Sequence, residues 1–151
     1  MPARSEKGPA PSSPSAPAQF VAIEKQQKLG LPDLDRQHDE LFEAINRLFR
    51  ATMDNLEPRK VEKLLASLRA TVIFHFDTEE TWMKEIWYPD YLAHKALHDD
   101  LTRRIIELEA EYGSGARVLS PSFMAELRDW VSHHVSDDDL RLAEYLRRKG
   151  F

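Results

Sequence analysis

The 151-residue chain contains no cysteine. That absence removes disulfides, thiolate nucleophiles, cysteine-type zinc sites and most iron–sulfur or blue-copper chemistry, so any bound metal would be held by imidazole and carboxylate. No apolar run approaches the ~20 residues of a membrane span, and the N-terminal stretch lacks the apolar core of an export signal. A soluble cytoplasmic protein with no membrane partner is therefore expected. Basic residues are outnumbered 21 to 26, a net charge of −5; such a surface repels phosphate backbones and argues against a nucleic-acid partner. Glycine and proline are sparse beyond the first 18 residues, which hold five of the nine prolines.

Residues 1–18 also carry four serines and four alanines, and no large apolar side chain except Met1. Such a segment cannot bury enough surface to offset its ordering entropy, and it reads as a disordered tail. The remaining residues, 19–151, carry a net charge of −6 and most of the apolar side chains, enough for one domain and too few for a second. Residues 19–34 mix Phe20, Val21, Ile23 and Leu29 with Gly30 and Pro32, which suggests an extended arm lying against the core.

From Asp35 onward the apolar period is helical, and glycine or proline falls only at the breaks. Four long helices are expected, at about 35–55 with Asp35 as N-cap, 58–85, from Tyr91 to the Gly113 break, and from Ser120-Pro121 to about 147. Leu41, Phe42, Ile45, Leu48 and Phe49 form the inward stripe of the first. Val61, Leu65, Leu68, Val72, Trp82 and Ile86 form that of the second. On the third the stripe is Tyr91, Leu101, Ile105, Leu108 and Tyr112, and on the fourth Phe123, Leu127, Trp130, Leu142 and Tyr145. Short connections favour antiparallel neighbours, so the expected fold is all-α, an up-down-up-down antiparallel four-helix bundle with an N-terminal arm.

The histidines fall on these inward stripes. His38 precedes Leu41 and Ile45 at helical spacing. His75 and Glu79 continue the series Leu68, Val72, and His94 and His98 lead into Leu101 and Ile105. His134 shares the phase of Leu127 and Trp130. One inward histidine is more often a hydrogen-bonded core residue than a ligand. Five of them with a buried glutamate, on four helices, would each need a separate polar solution in an apolar core, whereas one metal centre satisfies all. His133, in phase with Glu126 and Asp129, reads as solvated. So many imidazoles exceed the needs of one tetrahedral zinc, and carboxylates that can bridge point to two ions; a histidine-rich set without thiolate suits iron.

Asp35-Arg36-Gln37-His38, the string from His75 to Met83, the pair His94 and His98, and Trp130-Val131-Ser132-His133-His134 followed by Asp139 together resemble the hemerythrin family. The resemblance spans roughly residues 20–147 and is nearer the single-domain bacterial hemerythrins than the multidomain signalling forms; the family is itself a standard example of the up-down bundle. It implies two iron ions, one held by His94, His98 and His134 and the other by His38 and His75. Glu79 and Asp139 would bridge both, together with an oxo or hydroxo group. The first iron would then be six-coordinate, and the second would keep one open position for dioxygen. Periodicity alone aligns Asp138 with His134, whereas the family spacing of five selects Asp139. Trp130, Val131 and Ile23 are the residues expected around the open position. The family usually has leucine where Val131 stands and tryptophan where Ile23 stands, so both walls are smaller here. The function implied is reversible dioxygen binding by a non-enzymatic, monomeric protein. The alternatives are a di-iron redox enzyme acting on peroxide, oxygen or nitric oxide, or a regulatory module whose tail binds a partner.

Overall fold

The computed structural model describes residues 28–116 and 118–151. The tail at 1–18 and the arm residue Ile23 lie outside the described residues. The described residues form α1 (Pro32–Met53), α2 (Pro58–Glu85) and α3 (Tyr91–Gly113), then one long rod made of α4 (Pro121–His133), a π-helical turn (His134–Asp139) and α5 (Leu140–Arg148). These four rods make an all-α four-helix bundle, with no strand among the described residues. Pro32, Pro58 and Pro121 all stand in first turns, where a missing N–H leaves no helical bond unmade. At Ser120 the side chain caps α4 by accepting from the Phe123 N–H at 3.1 Å.

Two boundaries differ from expectation. The first helix begins at Pro32, so Asp35 is inside its first turn and is not the N-cap. Its carboxylate instead reaches back to accept from the N–H groups of Leu29 at 2.7 Å and Gly30 at 3.1 Å. That contact holds the incoming chain against the bundle, where Arg147 also donates to the Leu29 carbonyl. The fourth rod, expected as one regular α-helix, widens into a π turn between His134 and Asp139.

The core is split into two apolar clusters. One is built around Phe42, Ile45, Leu68, Phe76, Leu101 and Val131; the other gathers Leu29, Leu34, Met83, Tyr88, Leu142 and Leu146. On α1 and α3 the site residues lie between these clusters in sequence, and on α2 and the fourth rod they fall where one cluster gives way to the other, so the polar layer is enclosed from both ends. Met83 and Met124 are fully buried, whereas the expected inward residues Trp82, Ile86, Tyr91, Phe123, Trp130 and Tyr145 are half-buried at the margin. The flexible thioethers of Met83 and Met124 fill the axis beside Phe42 and Phe76.

Each rod stops in the same hydrogen-bond pattern. The bonds are Leu56 N–H to the Ala51 carbonyl, Tyr88 to Met83, Ala116 to Glu111 and Phe151 to Leu146, between 2.8 and 3.1 Å. This termination needs a residue of positive φ, supplied by Asn55, Trp87, Gly115 and Gly150. Trp87 is the costly choice, a bulky residue at φ 55° with its side chain 87% exposed. Left-handed backbone penalises a side chain that buries little here, so Trp87→Gly should stabilise the fold by about 0.5–1 kcal/mol after the extra entropy of glycine in the unfolded chain. Urea unfolding with an unchanged m-value would register the gain; a loss of stability would mean that the indole contributes packing.

Candidate metal centre

The apolar clusters enclose His38 from α1, His75 and Glu79 from α2, His94 and His98 from α3, and His134 and Asp139 from the π turn; all seven are buried. Their donor atoms form two sets that share both carboxylates. His38, His75, Glu79 and Asp139 make one set and His94, His98, His134, Glu79 and Asp139 the other, with all atoms of a set within 4.8 Å of one another. Glu79 Oε1 lies 3.2 Å from His75 Nε2, while Oε2 lies 3.1 Å from the Nε2 atoms of both His94 and His98. Asp139 divides in the same way, with Oδ2 at 2.9 Å from His38 Nε2 and Oδ1 at 3.0 Å from His94 and His134. Each carboxylate therefore offers one oxygen to each set.

These distances are those of neighbouring ligands. Two donors at right angles, each about 2.1 Å from one ion, stand about 3 Å apart. The Nε2 atoms of His38 and His75 are 3.2 Å apart, as are those of His98 and His134. Despite the short separations, both oxygens of Glu79, Asp139 Oδ1 and His94 Nε2 are buried with no hydrogen-bond partner. His38 Nε2 and Asp139 Oδ2 do meet at 2.9 Å, but four converging donors left without a hydrogen bond fit a metal site, since buried polar atoms otherwise find partners. The nitrogen and carboxylate character of the set suits a first-row ion such as iron.

The π turn brings Asp139 into the cluster. In an α-helix a residue five positions on is rotated by about 140° and one four positions on by about 40°. The wider turn closes on the fifth residue and returns Asp139 to the face of His134. Asp138 stands behind His134, and its Oδ2 accepts from His134 Nδ1–H at 3.0 Å while its Oδ1 accepts from Arg141 at 2.6 Å. His98 Nδ1–H donates to Glu80 Oε1 at 3.0 Å, and His75 Nδ1–H to Gln37 Oε1 at 3.0 Å. Gln37 in turn donates to Thr78 Oγ1 at 3.2 Å. These bonds put the proton on Nδ1 and turn the Nε2 lone pair inward. Ring contacts add to the alignment: Phe76 stacks on His98 at 3.7 Å, and Trp130 stacks on His134 at 5.1 Å.

His133 points outward and pairs with Asp137 at 3.0 Å. Val131 is buried in the apolar cluster that holds Phe76 and Leu101. Sequence reasoning missed Gln37 and Glu80 as partners of the histidines. The available signal was their position, each adjacent in sequence to an inward donor, His38 and Glu79.

The fold and the cluster together define an all-α four-helix bundle with a buried histidine–carboxylate site able to hold metal. The family model of the hemerythrin HHE cation binding domain matches residues 29–146, and the chain belongs to that family. It is 31% identical over 105 residues to the bacteriohemerythrin of Methylococcus capsulatus, covering 70% of this chain and 79% of that protein. It is 28% identical over 118 residues to the bacteriohemerythrin of Pseudomonas aeruginosa, covering 78% and 76%. Among solved structures it resembles a leucine-to-alanine variant of hemerythrin with a TM-score of 0.79 and 26% identity over 85% of this chain and 98% of that one. The similarity to wild-type hemerythrin has a TM-score of 0.73 and 28% identity over 77% and 88%.

Without metal, the cluster is a charge-paired network. Burial opposes ionisation of His75, His94 and His134, yet Glu79 and Asp139, joined at His134 by Asp138, outweigh it and raise His75 to about 9, His94 to about 9 and His134 to about 10. The carboxylates of Glu79 and Asp139 are held well below their usual range by these histidines, again against the effect of burial. The histidine contribution to metal-free stability is full below pH 6.5 and is lost as pH rises through 9–10. The carboxylate contribution is full above about 4.5 and is lost as pH falls. Metal must displace the imidazole protons. Loading at pH 7 should therefore release protons from His75, His94 and His134, and apparent affinity should rise with pH up to 9–10. Calorimetric titration in two buffers of different ionisation enthalpy measures the release; none at pH 7 would show that the imidazoles are already neutral.

Proposed function

We propose that the chain holds two iron ions in the two donor sets and binds dioxygen reversibly, with the bundle 19–151 as the working domain and 1–18 as an appended tail. The observation that carries this reading is the inequality of the sets. Both share Glu79 and Asp139, but one adds three imidazoles and the other two. Two iron ions held there would supply a two-electron centre with one position free for a diatomic ligand. His94, His98 and His134 would hold one ion and His38 and His75 the other, with Glu79 and Asp139 offering an oxygen to each. Family membership supports the assignment of iron.

The protein's other contribution is exclusion of water. Val72, Phe76, Val131 and Val135 are at most 3% exposed, so the cluster beside the site leaves little room for bulk solvent. Five neutral imidazoles against two carboxylates supply little anionic donation, and that balance favours reversible binding over chemistry that needs strongly oxidised metal. Trp130 serves this function by orienting His134, and Val131 is assigned to the wall of the open position.

Purified protein supplied with iron should contain two irons per chain, colour when the reduced form meets air, and return to the colourless reduced form on argon purging. One zinc and no iron would sink the di-iron reading; irreversible oxidation by air would favour a redox enzyme over a carrier. The wall can be tested separately, because Val131 is not a donor. Val131→Leu should lengthen the lifetime of the oxygenated spectrum and Val131→Ala shorten it, at unchanged iron content. Equal decay in all three proteins would place Val131 away from the ligand pocket.

A further inference from the structure

The two donor sets differ in what stands behind their imidazoles. On the three-histidine side, His98 and His134 each donate from Nδ1 to a carboxylate, Glu80 and Asp138, both at 3.0 Å. Cations keep those carboxylates in place: Lys95 lies 3.8 Å from Glu80 and Arg141 lies 2.6 Å from Asp138. On the two-histidine side the only such bond among the described residues is to the neutral amide of Gln37. His38 Nδ1 is buried with no partner at all. The Gln37 amide is itself held, 4% exposed and bonded to Thr78, so the contrast is built into the fold.

A carboxylate accepting from Nδ1 pushes electron density onto Nε2 and strengthens that nitrogen as a ligand; a neutral acceptor does so less, and no acceptor not at all. The shared oxygens of Glu79 and Asp139 serve both positions and cannot create a difference between them. We infer that Glu80, Asp138 and Gln37 widen the ranking that three imidazoles against two already give the metal positions, so that the three-histidine position fills first and the two-histidine position is filled last and emptied first. Gln37 is the positioning residue that keeps the second site weak. This ranking rests on the two-metal reading above and says in addition which ion is exchangeable. The exchangeable ion would be the one held by His38 and His75.

The test is titration of metal-free protein with cobalt(II), whose visible bands report each bound ion without any oxygen chemistry. Wild-type protein should take up two cobalt ions in two resolved steps, and His38→Ala should remove the second step alone, which assigns it. Substitutions at one position then move that step in both directions. Gln37→Glu should tighten the second step about 10-fold, and Gln37→Met, which fills the same space without an acceptor, should loosen it by a similar factor. The first step should stay unchanged in both. Asp138→Asn and Glu80→Gln should each loosen the first step about 10-fold and narrow the gap. A second step indifferent to both Gln37 variants would overturn the ranking while leaving two bound metals intact, as would Gln37 variants that shift both steps equally, the mark of a merely structural role. Uptake of fewer than two cobalt ions by the wild type would overturn the two-metal reading and the ranking with it.

Discussion

The structure depends on the cost of placing two carboxylates and five imidazoles in the middle of an apolar bundle. An unpaired buried carboxylate is penalised far more heavily than any one packing contact can offset. The donors must therefore converge, and convergence dictates how the rods are arranged. Four rods each contribute at least one donor to a single level, and that level divides the core into two apolar clusters. Glu79 and Asp139 lie at the centre, each turning its two oxygens toward different histidines. Packing above and below the layer keeps water out, and the layer in turn fixes the register of the helices.

The π turn is the local consequence of the same constraint. A regular α-helix would aim Asp138, not Asp139, into the bundle beside His134. The widened turn between them lets one segment supply both an inward ligand candidate and, one residue earlier, the carboxylate that orients His134 from behind. Backbone regularity is surrendered over six residues, and two acidic side chains adjacent in sequence acquire opposite duties.

Electrostatics link the site to the fold in both of its states. Without metal, raised histidines and depressed carboxylates neutralise one another across the layer. Metal held by the same atoms would require the protons to leave. Charge pairing offsets part of the cost of burial before loading, while both Glu79 oxygens and His94 Nε2 keep no hydrogen-bond partner.

Much of this was legible in the sequence. Apolar spacing marked the four rods, and Pro58, Gly113 and Ser120-Pro121 marked breaks the structure keeps, because helical period and capping chemistry are local properties. The inward phase of His38, His75, Glu79, His94, His98 and His134 followed from the same periodicity, and their chemistry from the absence of cysteine. Three features were beyond local reasoning. The start of the first helix at Pro32 depends on Asp35 reaching back to Leu29 and Gly30, a contact with chain outside the helix. Choosing Asp139 over Asp138 requires the π turn, because α-helical phase points to the wrong residue. The third is the backing of the imidazoles, in which Gln37 reaches across from α1 to His75 on α2, and Glu80 from α2 to His98 on α3. Periodicity assigns a residue to a face of its own helix. Which side chain on the neighbouring helix it meets is decided by the way the rods are staggered and rotated when they pack, and only the tertiary structure contains that.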